Sequence, residues 1–465
     1  MKATTIRRLL VANRGEIAVR IVRACRDEGI EPIVTVSDAD ADSLAARLAD
    51  DVVHIGPADS ARSYLRVEQI VAAALLASCD AVHPGYGFLS ERPELAEACV
   101  QNGLIFVGPP AETIRRGGDK VVARRIARDA GVPTGSGSDA VDGAAAALAI
   151  ADEVGYPILL KAAAGGGGRG MLRADDPDGL RARFGAATRE AAAAFGDGRM
   201  YVERYVENAR HVEVQLLGDR YGDIIHLGDR DCSTQRRFQK LVEEAPASAL
   251  SPVLRQRLSD AALALGRRLD YRGAGTVEFL VDLDRDEFAF LEINTRVQVE
   301  HPVTEVVTGV DIVRRQLRIA AGEPLGIDQA DVSISGHAIE CRINAESVAD
   351  GFLPSPGTIT RWGVPTGGNV RIDTHASAGY EVPTHYDSLI AKLIVSGPDR
   401  ATAIDACLEA LARFDIDGIA TTRDLHRAVL SHADFRNDAI NTRWLESTLL
   451  PAIVPAAAAM GAADG

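Results

Sequence analysis

Glu278, Glu292 and Asn294 stand in the stretch "GTVEFLVDLDRDEFAFLEINTR", where two alternating apolar segments flank the acidic turn "DLDRDE". A hairpin is expected there. Side chains alternate along a strand, so Glu292, Asn294 and Arg296 share one face, which Glu278 on the partner strand can join. Two carboxylates and an amide oxygen are ligands of the type Mg²⁺ accepts, with phosphates completing its shell. Acids on a solvated sheet face follow the same pattern, and the pattern alone does not choose between the two.

The flanking residues add cations. "INTRVQVEHPVTE" places Arg296, Gln298, Glu300 and His301 directly after the second strand. "RDCSTQRRFQKLVEEAP" (230–246) adds Arg230, Arg236, Arg237 and Lys240 beside Gln235. Read as a loop, this basic run in an acidic protein is expected to meet anions; a solvated loop is the alternative. "KAAAGGGGRGM" (161–171) puts four glycines between a lysine and an arginine. It fits neither G-x-x-x-x-G-K-[ST] nor G-x-G-x-x-G in a strand-to-helix turn. Glycine lets backbone N–H groups approach phosphate oxygens without a Cβ clash. A strand lysine (Lys161) beside a flexible glycine loop is one way to hold ATP phosphates, and Lys120 opens a nearby helix. A plain flexible linker has the same composition.

These residues need elements to carry them. The first hundred residues alternate strand and helix, which implies a parallel, doubly wound sheet. The turn after the first strand, "NRGEIA", has a single glycine, which argues against a dinucleotide site. "HPGYGFLSE" (83–91) is a loop at the C-terminal end of a strand, where α/β sheets place ligands. Residues 134–205 read as a small α/β unit with flexible ends and the glycine loop inside, a lid that moves. Residues 211–300 read as strands. A third region, with "GHAIECRINAE", "PSPGTITRW" and "YDSLIAKLIVSG", begins near residue 331. The expected divisions are 1–116, 117–330 and 331–448, followed by a low-complexity, disordered tail at 449–465.

The chain of 465 residues is too long for one core. Its net charge of −15 argues against a nucleic-acid surface. No apolar run approaches the roughly 18–20 residues of a membrane span. The Arg-rich N-terminus could pass for a transit peptide, but "RLLVAN" before a periodic helix reads as the first strand of a folded domain, so a cytoplasmic location is expected. Six scattered cysteines without a C-x-x-C pair indicate neither zinc nor a disulfide framework. Cys232, in the charged run, is the one candidate for more than packing.

In order and spacing, "ANRGEIA", "HPGYGFLSE", "KAAAGGGGRGM", "RDCSTQRR", "EINTRVQVEHPVTE" and "ECRINAE" give the chain a resemblance to biotin carboxylase. That is the ATP-grasp subunit of acetyl-CoA and related acyl-CoA carboxylases, and the resemblance covers about residues 6–447. It implies an α/β fold: an N-terminal doubly wound parallel sheet, an ATP-grasp core with a mobile glycine-rich lid, and a C-terminal α+β domain. By the same resemblance, Lys120, Lys161, Glu203, His211 and the lid residues Gly167 and Gly168 contact ATP. Glu203, Arg204, Tyr205 and Val206 line the adenine. Glu278, Glu292 and Asn294 hold Mg²⁺ or Mn²⁺. Lys240, Arg296 and the backbone of Val299 hold bicarbonate, with Glu300 as its base. Arg342 meets the ureido oxygen of biotin, with Tyr86, Gly87 and Gln235 nearby.

The implied reaction carboxylates biotin with ATP and bicarbonate through carboxyphosphate, and the implied assembly is a homodimer. No A-M-K-M attachment motif is present. Biotin is therefore expected on a separate biotin carboxyl carrier protein, with a separate carboxyltransferase using the product. Phe238 stands where the family commonly has His; a phenyl ring cannot donate to a phosphate, and the change is read as tuning rather than loss. Two other readings compete. A carboxylate–amine ligase would share the Mg²⁺ strands and lid, but "EINTRVQVEHPVTE" with "ECRINAE" disfavours it. A non-catalytic scaffold would keep the fold, but the assigned Lys, Glu, Asn and Arg residues are all present.

Overall fold

The β-branched and leucine-rich runs RLLV, EPIVTV and AVH form the centre of a five-stranded parallel sheet in a computed structural model of the chain. The structure describes residues 5–135, 137–138, 140–141, 143–163 and 170–454. Strand order is Asp51–His54, Glu31–Val36, Arg8–Val11, Ala81–His83, Ile105–Phe106, all parallel. The order reverses at Arg8–Val11, so the loops leaving it and Ala81–His83 open a crevice at the C-terminal ends of the strands. The Asn13 amide ties those two loops together, donating to the carbonyls of Pro84 and Tyr86 at 2.7 Å each.

Helices Ala144–Val154 and Pro177–Phe195 pack on a small antiparallel sheet. In it Ile158–Ala162 runs between Met171–Ala174 and Met200–Arg204. Leu160, Phe184, Met200 and Val202 belong to a core of its own. Gly167 and Gly168, expected to touch ATP, lie outside the described residues.

The third sheet has eight antiparallel strands, in the order Glu287–Asn294, Gly273–Asp282, Ala209–Gly218, Ile224–Arg236, Gln239–Ala245, His337–Asn344, Leu389–Gly397, Val370–Thr374. Backbone pairing between Gln239–Ala245 and His337–Asn344 makes it continuous from the central region into the C-terminal one. Helix Arg400–Arg413 covers its far end, with Ile404, Cys407 and Leu411 in one cluster with Ile339 and Leu393. Among the described residues no helix is long and apolar enough to cross a membrane.

Two expectations change. The basic run 230–246 is a hairpin rather than a loop: Arg236 pairs with Gln239 around a two-residue turn, Arg237–Phe238, both at positive φ. Its strands carry buried charges that are neutralised by partners from other segments, which hid the alternation. Cys232 accordingly sits in a strand and is fully buried, and burial pushes its thiol well above the usual range. The tail expected from residue 449 is helical through Leu450–Ile453, because Leu445 and Leu449 are buried against the C-terminal core; residues 455–465 lie outside the described residues.

Candidate active site

A cleft of about 1160 Å³ is lined by the parallel sheet, the small antiparallel sheet and the eight-stranded sheet. Tyr86 and Gly87 reach it from the parallel sheet, and Lys161, Glu203, Arg204, Tyr205 and Val206 from the small unit. Lys120 comes from the first turn of a helix capped by Asp119. His211, Gln235, Lys240, Glu278, Glu292, Asn294, Arg296, Val299, Glu300 and Arg342 complete the lining from the large sheet and the turn following it. Every described residue expected at the site is therefore in one cavity.

Lys240 is the hub. Its Nζ lies 2.6 Å from Glu213 Oε2, 2.9 Å from Glu278 Oε1 and 2.6 Å from Glu300 Oε1. Burial opposes the ammonium, yet Cys232 and the three carboxylates around it hold its pKa well above the ordinary lysine value. Glu300, 2% exposed, gives its other oxygen to Arg342 Nη2 at 2.9 Å. Burial works against its charge, but Lys240, Arg342 and Arg230 outweigh burial and keep the carboxyl far below the usual range. Arg342 Nε also donates to Glu243 at 2.6 Å. Glu243 is pushed up to about 7 by burial, which the charge of Arg342 offsets in part.

The expected metal strands pair as a hairpin, and a register shift between Glu278 and Phe279 sets Glu278 opposite Glu292 and Thr276 opposite Asn294. The Asn294 amide donates to Glu278 at 2.9 Å while its oxygen accepts from Arg296 at 3.0 Å. Arg296 Nε is 3.1 Å from Glu91. Glu292 turns to Lys120 at 3.2 Å. Ligand atoms of His211, Glu213 and Glu278 all lie within 4.8 Å of one another. His211 meets Glu278 at 2.8 Å. The oxygen set fits a hard divalent cation: cationic side chains face each of these carboxylates, and Glu278 is held ionised against burial by Lys240 and His211.

At the other end, Lys161 and Arg124 both contact Glu203. Burial, with the charges of Arg124 and Lys120, lowers Lys161 to about 7 despite that contact. Arg204 ties the small unit to the large sheet through Asp282 at 3.1 Å.

Sequence reasoning missed Glu213 and the role of Arg230. Arg230 is fully buried and donates to Gln215 (2.8 Å), Thr304 (2.9 Å), Thr276 (3.1 Å), Gln298 (3.0 Å) and the carboxylate of Glu213. The signal was present. His211, Glu213 and Gln215 alternate with Val212, Val214 and Leu216, a polar stripe on an otherwise apolar strand.

Family models match three segments: the biotin carboxylase N-terminal domain at 5–114, the carbamoyl-phosphate synthase L chain ATP-binding domain at 119–328, and the biotin carboxylase C-terminal domain at 340–447. The chain is 48% identical over 443 residues to biotin carboxylase 1 of Bacillus subtilis, covering 95% of this chain and 98% of that one. The chain belongs to the biotin carboxylase family. Its fold matches the Campylobacter jejuni biotin carboxylase complexed with β-γ-ATP, with a TM-score of 0.91 at 46% identity over 95% and 99% of the two chains. The biotin carboxylase domain dimer of Hydrogenobacter thermophilus 2-oxoglutarate carboxylase matches with a TM-score of 0.90 at 45% identity over 95% and 98%. That structure is a complex with MgADP, ADP and bicarbonate. As a biotin carboxylase this chain is a ligase built on an ATP-grasp core.

Proposed function

We propose that the cleft carboxylates biotin carried by a separate carrier protein, with ATP and bicarbonate, as the first half-reaction of an acyl-CoA carboxylase. One observation carries this reading: Glu300 is clamped between Lys240 and Arg342, at 2.6 and 2.9 Å. A carboxylate so held stays ionised and is a poor base. Bicarbonate and the ureido oxygen of biotin each compete for one of those cations. Drawing Lys240 and Arg342 onto substrate oxygens releases Glu300, and its pKa rises toward that of a working base.

In this reading Lys240, Arg296 and the Val299 N–H hold bicarbonate while Glu300 takes its proton, which makes a weak nucleophile competent. Lys120, Lys161 and His211 hold the nucleotide, and the segment Glu203 to Val206 lines its base. Glu278, Glu292 and Asn294 would hold Mg²⁺ or Mn²⁺, which neutralises triphosphate charge when bound. The small unit, closing, keeps water from carboxyphosphate. Carboxyphosphate then breaks its bridging C–O bond to give CO₂ and phosphate. Phosphate takes the proton from biotin N1′, Arg342 stabilises the enolate-like oxygen, and N1′ bonds the CO₂ carbon, with Tyr86, Gly87 and Gln235 around the ring.

The protein works as a homodimer in the cytoplasm, divided at about residues 116, 330 and 448, with a carrier protein and a carboxyltransferase as partners. Arg342→Ala is expected to abolish biotin carboxylation in a folded protein; undiminished carboxylation refutes the assignment. Copurification of the carrier and transferase tests the acceptor. A 2-oxo acid carboxyltransferase as the copurifying partner overturns the acyl-CoA part alone.

A further inference from the structure

Two sequence motifs, "ANRGEIA" and "YDSLIAKLIVSG", have no assigned role so far, yet residues of both line the cleft and the two meet at its wall. Glu16 lies in the first turn of helix Gly15–Asp27, and Lys392 lies in strand Leu389–Gly397. Lys392 Nζ is 3.0 Å from Glu16 Oε1, with Lys392 fully buried and Glu16 3% exposed. A pair this deep has a desolvation cost that its own attraction repays poorly. Its significance lies in what each end holds.

Lys392 Nζ donates to the carbonyl of Val299 at 2.8 Å. That carbonyl belongs to the peptide joining Val299 to Glu300. Glu16 Oε1 accepts from the Tyr86 hydroxyl. Lys392 is also the direct cross-strand partner of Arg342, and paired residues project to the same face. Burial disfavours the lysine's charge, but Glu16, Glu340 and Asp373 outweigh burial and keep it protonated.

We propose that Lys392 and Glu16 are positioning residues for carboxylation: Lys392 sets the Val299–Glu300 peptide, Glu16 sets Tyr86, and one buried anchor holds the bicarbonate and biotin ends in register. This rests on the reading above, in which Val299 and Glu300 serve bicarbonate and Tyr86 serves biotin. An ammonium on a buried carbonyl is a strong, charge-assisted bond. Without it the peptide is free to rotate, and Glu300 leaves the reach of Lys240 and Arg342. A displacement of about 1 Å at such a point costs on the order of a hundredfold in rate.

The test is the double variant Glu16→Gln/Lys392→Met, which removes both charges of the pair together, while Asp373 retains Arg371. ATP affinity, the bicarbonate dependence of ADP release, carboxylated biotin formed per ATP hydrolysed, and the thermal midpoint are measured together. The variant is expected to bind ATP within about threefold of the unsubstituted protein, because Lys120 and Lys161 lie at the other end of the cleft. Its kcat/KM for bicarbonate is expected to fall at least tenfold, about 1.4 kcal/mol, with ATP hydrolysis uncoupled from carboxylation. A lowered midpoint with unchanged bicarbonate KM and unchanged coupling overturns the positioning role. Glu16→Gln/Lys392→Gln serves the same comparison if the methionine variant does not fold. ATP turnover by the unsubstituted protein that ignores bicarbonate refutes the functional reading itself, a separate result.

Discussion

Glu300→Gln keeps the volume of the side chain and removes one charge from the centre of the cleft. Neither cation beside it is orphaned. Lys240 retains Glu213 at 2.6 Å and Glu278 at 2.9 Å, and Arg342 retains Glu243 at 2.6 Å. The stability cost therefore falls below the roughly 3–5 kcal/mol of a broken buried pair. About 1–3 kcal/mol is expected, the worth of hydrogen bonds to charged groups. Catalysis suffers more, because an amide cannot accept the proton of bicarbonate. A positioned base is worth about 10²–10⁴ in rate, or about 2.7–5.5 kcal/mol of barrier. Bicarbonate-dependent ADP release and biotin carboxylation, measured on protein shown to be folded by its circular dichroism and thermal midpoint, give both quantities. A carboxylation rate within about threefold of the unsubstituted protein refutes Glu300 as the base.

Acid stability carries the same signature. The folded carboxyl of Glu300 is depressed, so its contribution is present above the unfolded value of about 4.3 and is lost as pH falls below it. Denaturant titrations at pH 6 and pH 3.5 should show Glu300→Gln losing less stability on acidification than the unsubstituted protein; an equal loss contradicts this. Lys161, at about 7, is partly neutral near neutrality, and a triphosphate favours its ammonium. Nucleotide binding should take up a proton, and affinity should weaken from pH 7 to 9; calorimetry in buffers of different ionisation enthalpy that finds neither refutes it. Arg230→Leu strands several buried polar partners and should cost about 3–5 kcal/mol in chemical denaturation; a loss under about 1 kcal/mol refutes the network's importance.

The metal-strand hairpin was legible in the sequence because an acidic turn joins two alternating segments, but its register was not: an irregularity between Glu278 and Phe279 brings Glu278 opposite Glu292. The parallel sheet was legible from strand–helix spacing. The hairpin at 230–246 was not: Arg230, Asp231 and Lys240 look solvated until their partners, Glu213, Arg210 and Glu300, arrive from other strands. Charge compensation between segments far apart in sequence leaves no local pattern. Lys392 was hidden for the same reason, since a lysine inside an apolar strand becomes intelligible once Glu16 and Val299 are seen beside it.

The most direct measurement follows labelled bicarbonate carbon into biotin. Purified protein with ATP, Mg²⁺ and free biotin or a biotinylated carrier should form acid-labile carboxybiotin, one per ATP hydrolysed, and none when ATP or bicarbonate is omitted. ATP turnover that proceeds without bicarbonate and leaves biotin unlabelled, or that depends on an added amine, would contradict the account.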